Sequence, residues 1–279
     1  MLGLPGKMEA SNDASALKQE VRQFWEEVPC GTRGLEKSDR AVFFRALEQE
    51  RYDLEPYIPG FAKFEEGRGK RVLEVGIGAG TDFVNWVRHG AVATGIDLTE
   101  QGVSLTRERL ALEGLSADVR VGDAENLPFP ADSFDIVYSY GVIHHSPDTQ
   151  RAVSEIHRVL RPNGRARIMI YHSRSWIAFM LWAVHCAARG KPWKSPRWAM
   201  YHYLESPGTK SYARNEARHL FAKFSHVALS VQLSHGDLLL MRPSPKYATL
   251  RLLWSLYPRP LVRLTGNALG TNLMIEATK

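Results

Sequence analysis

The chain has 279 residues, 44% hydrophobic and 24% charged, a composition that belongs to a folded domain and excludes disorder or a fibrous repeat. Its net charge of +6 hides an uneven split: residues 1–150 carry 16 Lys and Arg against 25 Asp and Glu, and residues 151–279 carry 20 against 5. The basic half implies either an anionic partner (phosphorylated substrate, lipid surface or nucleic acid) or attraction between the two halves.

Cys30 and Cys186 lie far apart without ligand or redox spacing, so neither a disulfide framework nor a metal site is expected. The longest apolar run, 176–188, has 13 residues, short of the ~20 that span a bilayer. The first residues lack a basic start followed by an apolar core, so a cytoplasmic protein without a secretory signal is expected.

In chain order, Leu17, Val21, Phe24, Trp25 and Val28 repeat at helical spacing and predict an amphipathic helix over 14–28, followed by a turn-rich PCGTRG stretch. Asp39 can cap a second helix carrying Val42, Phe43, Leu47 and Leu54, with Pro56 and Pro59 stopping its continuation. From Lys70 the pattern becomes five short apolar runs, RVLEVG, AVATGID, ADVRVGD, FDIVYSY and RARIMIY, alternating with helical stretches at 82–89, 101–113 and 149–160. Such βαβ alternation predicts an α/β fold, a mostly parallel sheet with helices on both faces.

Beyond Tyr171 follow a Trp- and Arg-rich segment, a helix at 215–224, a strand at 227–233, a basic amphipathic stretch at 247–264 and a last strand at 272–277. The division expected is therefore 1–69 as a helical segment over the ligand site, 70–171 as the core, and 172–279 as a cap insertion plus the final strands.

The chemistry concentrates at the strand ends. The first core strand runs into Glu74-Val-Gly76-Ile77-Gly78-Ala-Gly80, where missing Cβ atoms let backbone approach a ligand. Its spacing is G-x-G-x-G, so the dinucleotide fingerprint G-x-G-x-x-G is not met. The second strand ends in Asp97-Leu98, where a carboxylate can accept both hydroxyls of a ribose, and the third in Asp123-Ala124, where one can accept an adenine amino group. Each aspartate alone could equally cap a helix, but all fall at successive strand ends.

These residues resemble those of the class I S-adenosylmethionine-dependent methyltransferases, in their small-molecule branch. VLEVGIGAGTD at 72–82, GIDLT at 95–99, GDAENLPFPADSFDIVYSYGVIHH at 122–145 and RVLRPNGRARIMI at 158–170 carry the resemblance. It implies a Rossmann-like, seven-stranded sheet, mostly parallel with an antiparallel last strand. It also implies S-adenosylmethionine as donor and S-adenosylhomocysteine as product, with Glu74 and the 76–80 loop at the methionine end, Asp97 and Leu98 at the ribose, and Asp123-Ala124 at the adenine. The N-terminal segments and PGTKSYARNEARHLFAKF look like a bacterial subgroup whose substrates are mostly unassigned.

The fourth strand brings Tyr140, His144 and His145 to the same edge, with Tyr140 expected to touch both cofactor and acceptor; the fifth adds Tyr171 and His172. His144, His145 and His172 are the candidate general bases; the alternative for each is a loop-orienting hydrogen bond. Arg51 and Tyr52 can reach a cofactor carboxylate, or simply face solvent. Trp176 opens the apolar run, which can wall a lipophilic substrate, bury itself as a cap helix, or touch an anionic membrane. The reading is methyl transfer to an O, N or C nucleophile of a small hydrophobic or anionic molecule, without metal. Nucleic-acid methylation is disfavoured by the lack of an RNA-binding module or an Asn-Pro-Pro-Tyr type motif. A non-catalytic nucleoside-binding module at a membrane surface is the third reading. Oligomeric state is not encoded legibly.

Overall fold

The computed structural model describes residues 13–27, 39–240 and 255–279. Two helices come first, α1 (Ala14–Glu27) and α2 (Arg40–Leu54), then a short α3 (Ile58–Ala62). Val28 and the PCGTRG stretch lie outside the described residues. Asp39 caps α2 as its sequence suggests, its carboxylate accepting from the Val42 N–H. Pro59 does not keep the chain out of a helix: it sits in the first turn of α3, where a missing N–H costs nothing.

The core follows as β1 (Arg71–Val75), α4 (Thr81–Arg88), β2 (Val92–Asp97), α5 (Glu100–Leu112), β3 (Asp118–Val121), β4 (Phe134–Tyr140), α6 (Thr149–Val159) and β5 (Leu160–Tyr171). Beyond Tyr171 come α7 (Trp176–His185), α8 (Pro196–Tyr203) and α9 (Arg214–Leu220). After β6 (His226–Gln232) come α10 (Arg259–Leu264) and β7 (Asn272–Thr278).

The seven strands lie in the order β3-β2-β1-β4-β5-β7-β6. Only β7 runs against its neighbours, pairing antiparallel with both β5 and β6. The sheet order reverses between β1 and β4, the place where open α/β sheets bind ligands beyond their carboxyl ends. Because β7 is reversed, its first residue Asn272 pairs with Tyr171 at that same edge.

Successive strand residues point to opposite faces, and each face has its own core. On one, Leu73, Val75, Val137 and Ile168 pack against α6 and α9 through Val153, Ile156, Ala217 and Phe221. On the other, Val72, Ile136, Tyr138 and Met169 meet Phe83, Val84 and Trp86 of α4 and Phe61 and Phe64 from the α3 region. A third cluster joins Phe43, Phe44 and Leu47 of α2 to Ala79 and Leu105, so α2 rests against the glycine loop.

Three expectations are corrected. The fifth strand starts at Leu160, because Leu160 already pairs with Phe134 before the register shifts at Phe134/Ile136. The helix expected at 215–224 ends at Leu220, and α8 had not been foreseen, although Ser195 caps it and Pro196 opens it. Of the basic stretch 247–264, residues 247–254 lie outside the described residues, and the rest holds helical residues 255–256 and the short α10 behind Pro258.

Candidate active site

The turn after β1 has the closeness its glycines permit. Gly76 takes a φ of +84°, and a Cβ there would fall 2.2 Å from a Val142 methyl carbon. Gly78 also has positive φ, yet nothing lies within 4 Å of where its Cβ would stand, so this backbone faces open space. Gly80 caps α4 in a left-handed conformation. Ile77 turns its side chain into the α4 face of the core and offers only its backbone to a ligand.

Glu74 is buried, and its Oε2 has no hydrogen-bond partner. Burial, with the nearby Asp82 charge, pushes its pKa well above the usual carboxylate value, with Arg51 opposing. An orphaned buried carboxyl is costly unless a cation meets it. Arg51 is not that cation. Its guanidinium grips Asp82 at 2.9 and 2.5 Å and lies 5.0 Å from the Tyr140 ring centre. Tyr52 and Tyr138 donate to the same aspartate. The sequence reading had freed Arg51 and Tyr52 to reach a ligand; the structure commits both to Asp82, a residue that reading passed over.

Asp97 pins the loop to the next helix, accepting from the Gly78 N–H at 2.8 Å and from the Thr99 backbone and hydroxyl at 3.0 and 2.6 Å. Burial raises its pKa despite these donors. Leu98 beside it is half-buried. Asp123 accepts from the Glu125 N–H and from Lys18 of α1 at 2.7 Å, with Ala124 packed on the core. Further along α1, Trp25 meets the His145 ring edge-on and Glu26 accepts from the Glu100 and Gln101 N–H groups. Helix α1 therefore crosses the sheet edge from Asp123 to His145.

The histidines separate. His144 is fully buried, with neither ring nitrogen bonded and the Tyr171 ring 4.1 Å away. His145 shares its Nδ1 with Ser206 and Thr209 at 2.8 and 3.1 Å, and its Nε2 lies 3.5 Å from Glu205. Burial, then Lys210, lowers His145 to about 3 and, with His145, lowers His144 well below the usual imidazole value. Groups so reluctant to take a proton are poor bases at neutral pH. His172 is turned to the Gly270 carbonyl, 3.2 Å away, and Trp176 donates to Thr265.

A second polar cluster completes the edge. The Glu55 carboxylate, just beyond α2, accepts from Tyr140, Tyr57 and Asn272, each at 3.0 Å, and lies 3.4 Å from His235 Nδ1. Burial alone would raise Glu55, but His235, Arg51 and Tyr140 overcome it and hold the carboxyl at about 2. Burial disfavours the His235 cation too, yet Glu55, backed by Glu205 and Asp237, raises its pKa above the ordinary value. Tyr171 donates to Glu205 at 2.7 Å at the same edge.

This donor set fits S-adenosylmethionine. Glu74 offers an unmatched buried acceptor to an ammonium, Gly78 leaves open space where a side chain would stand although its N–H and carbonyl are bonded to Asp97 and Thr106, and Asp97 is a carboxylate one strand away.

Residues 73–168 match the family described as "Methyltransferase domain". The phthiotriol/phenolphthiotriol dimycocerosates methyltransferase of Mycobacterium tuberculosis is 45% identical over 162 residues, 52% of this chain and 57% of that protein. The fatty-acid O-methyltransferase of Mycolicibacterium smegmatis is 37% identical over 119 residues, 42% of each chain. The chain thus spans about half the length of the curated relatives it matches. Among solved structures, the S-adenosylmethionine dependent methyltransferase from Mesorhizobium loti superposes with a TM-score of 0.55 at 19% identity, covering 81% of this chain and 99% of that one. Residues 73–168 thus form a methyltransferase domain, and the sheet order and glycine loop around it are similar to those of the class I S-adenosylmethionine-dependent methyltransferases.

Proposed function

We propose that the protein methylates an oxygen of a lipid-like acceptor. When bound, S-adenosylmethionine supplies a methyl group already activated by a sulfonium, which leaves the protein to align the acceptor and remove its proton. The observation that carries the reading is the Glu55–His235 pair beside Tyr140, at the carboxyl edge of the sheet. His235 Nδ1 stands 3.4 Å from Glu55 without a hydrogen bond, so the Glu55 carboxylate stabilises by charge the imidazolium formed when the ring takes the proton of an acceptor hydroxyl. Tyr57, Tyr140 and Asn272 hold Glu55 in place. The relatives' names, one for a lipid alcohol and one for a fatty acid, support an acceptor of this class.

The test is a panel of radiolabelled methyl transfer to long-chain alcohols, fatty acids, phenols and transfer RNA. Methylated lipid product is expected. Transfer to RNA with none to lipid overturns the reading.

A further inference from the structure

Six of the nine large apolar side chains that stand exposed among the described residues belong to one region: Phe179 and Val184 on α7, Trp193 in the turn after it, Leu256 before α10, and Leu261 and Leu264 on α10. Trp193 and Leu264 are 74% and 82% exposed. Helix α7, WIAFMLWAVH, is apolar all round yet buries only Ala178 and His185. A helix of that composition is ordinarily enclosed, by protein or by lipid.

Two hydrogen bonds join these pieces. Trp176 Nε1 donates to Thr265 at 3.1 Å, fastening the start of α7 to the end of α10, and Trp182 Nε1 donates to the Lys194 carbonyl at 2.7 Å, fastening the Trp193 turn to α7.

The exposed charge on these segments is mostly cationic: Arg197 is paired with Glu216, and Asp237, which accepts from the Ile177 N–H, is buried. Residues 173–204 hold five cations and no Asp or Glu, and residues 238–275 hold no Asp or Glu either. Among the described residues no carboxylate pairs with Arg189, Lys191 or Arg263, all exposed. Aliphatic side chains gain nothing from a phosphate backbone, whereas Trp, Phe and Leu ringed by Lys and Arg suit the boundary of an anionic bilayer.

We propose that α7, the Trp193 turn and α10 form a docking face for anionic phospholipid membrane. The face adjoins the proton-accepting cluster, since Ile177 of α7 and Tyr257 before α10 both bond Asp237, two residues from His235, but its occupancy does not depend on which acceptor is methylated.

The experiment is flotation of the full chain with phosphatidylcholine vesicles, with and without phosphatidylglycerol. Retention is expected on the anionic vesicles only, weakening as salt screens the cations. Each of Lys191→Gln and Arg263→Gln is expected to weaken it about fivefold. Trp193→Ala combined with Leu264→Ala should abolish it without moving Tm, since both residues are exposed, and Leu112→Ala on α5 should leave it unchanged. Absence of flotation, equal retention on neutral vesicles, equal loss in Leu112→Ala, or displacement by transfer RNA that itself binds tightly overturns the proposal.

Discussion

Glu74 places the sharpest energetic demand on the molecule, because its buried Oε2 has no internal donor. Its pKa is raised, so its contribution to stability is present below the unfolded value of about 4.3 and is lost as pH rises through the folded value. Glu74→Gln removes that burden with little change of shape. At neutral pH Tm is expected to rise or hold, while affinity for S-adenosylmethionine falls at least about tenfold, from loss of a charged hydrogen bond. Calorimetry and thermal denaturation of one preparation read both.

His235 carries a different expectation. His235→Gln should cut methyl transfer to a hydroxyl acceptor by roughly a hundredfold or more but spare transfer to a carboxylate, which has already lost its proton. In the wild type the hydroxyl reaction should rise with pH through the raised His235 value, since only the neutral ring accepts a proton. Steady-state rates with paired alcohol and acid acceptors, measured across pH, provide the check. Glu74, Asp97 and Asp123 were legible in sequence because each closes a strand within a continuous motif. Glu55 and Asn272 were not, because their contact joins residues 217 apart and no periodicity marks it.

At the scale of elements, α1 and α2 turn an open sheet edge into an enclosed one. Lys18 reaches Asp123 and Glu125 at 2.7 and 2.5 Å, and Trp25 meets His145 from the other end of the helix. Lys18→Ala is expected to speed cofactor release several-fold with little loss of stability, because partly exposed ion pairs contribute at most about 1 kcal/mol. Stopped-flow release of S-adenosylhomocysteine reads this directly. The sequence showed that α1 and α2 are helices, since their apolar stripes follow the helical period. It could not show where they lie, because a stripe names a buried face without naming its partner. The short helices were illegible for another reason: α3 spans five residues and α8 eight, too few turns for a period to emerge.

Across the whole molecule, the acidic half supplies the strand ends that carry Glu74, Asp97 and Asp123, and the basic half supplies α7 to α10. Their contrast is partly spent between them, as in Arg161–Asp135 and Lys279–Asp132, but Arg189, Lys191 and Arg263 stay unpaired by carboxylates among the described residues. The parallel core was legible because βαβ alternation admits few topologies, whereas the reversed last strand came with the family resemblance and the strand order from the structure. Burial also makes stability depend on pH. Unfolded histidine takes up a proton near 6.5, whereas native His145 waits until about 3 and native His144 is lowered as well. Their stability contribution is whole above 6.5 and is lost as pH falls below it, at up to roughly 1.4 kcal/mol per pH unit for each ring. His235, whose value is raised, opposes part of this loss. Tm is expected to fall from pH 7 to 5, less steeply in His145→Gln, as followed by circular dichroism.

The central claim is that the carboxyl edge around Glu74, Gly78 and Asp97 binds the methyl donor. Titration calorimetry of the wild type and Asp97→Ala with S-adenosylmethionine and S-adenosylhomocysteine tests it most directly. The expected result is one site per chain, with affinity reduced at least about tenfold in the variant, which gives up charged hydrogen bonds. Failure of the folded wild type to bind either molecule, or equal affinity in the variant, would contradict it.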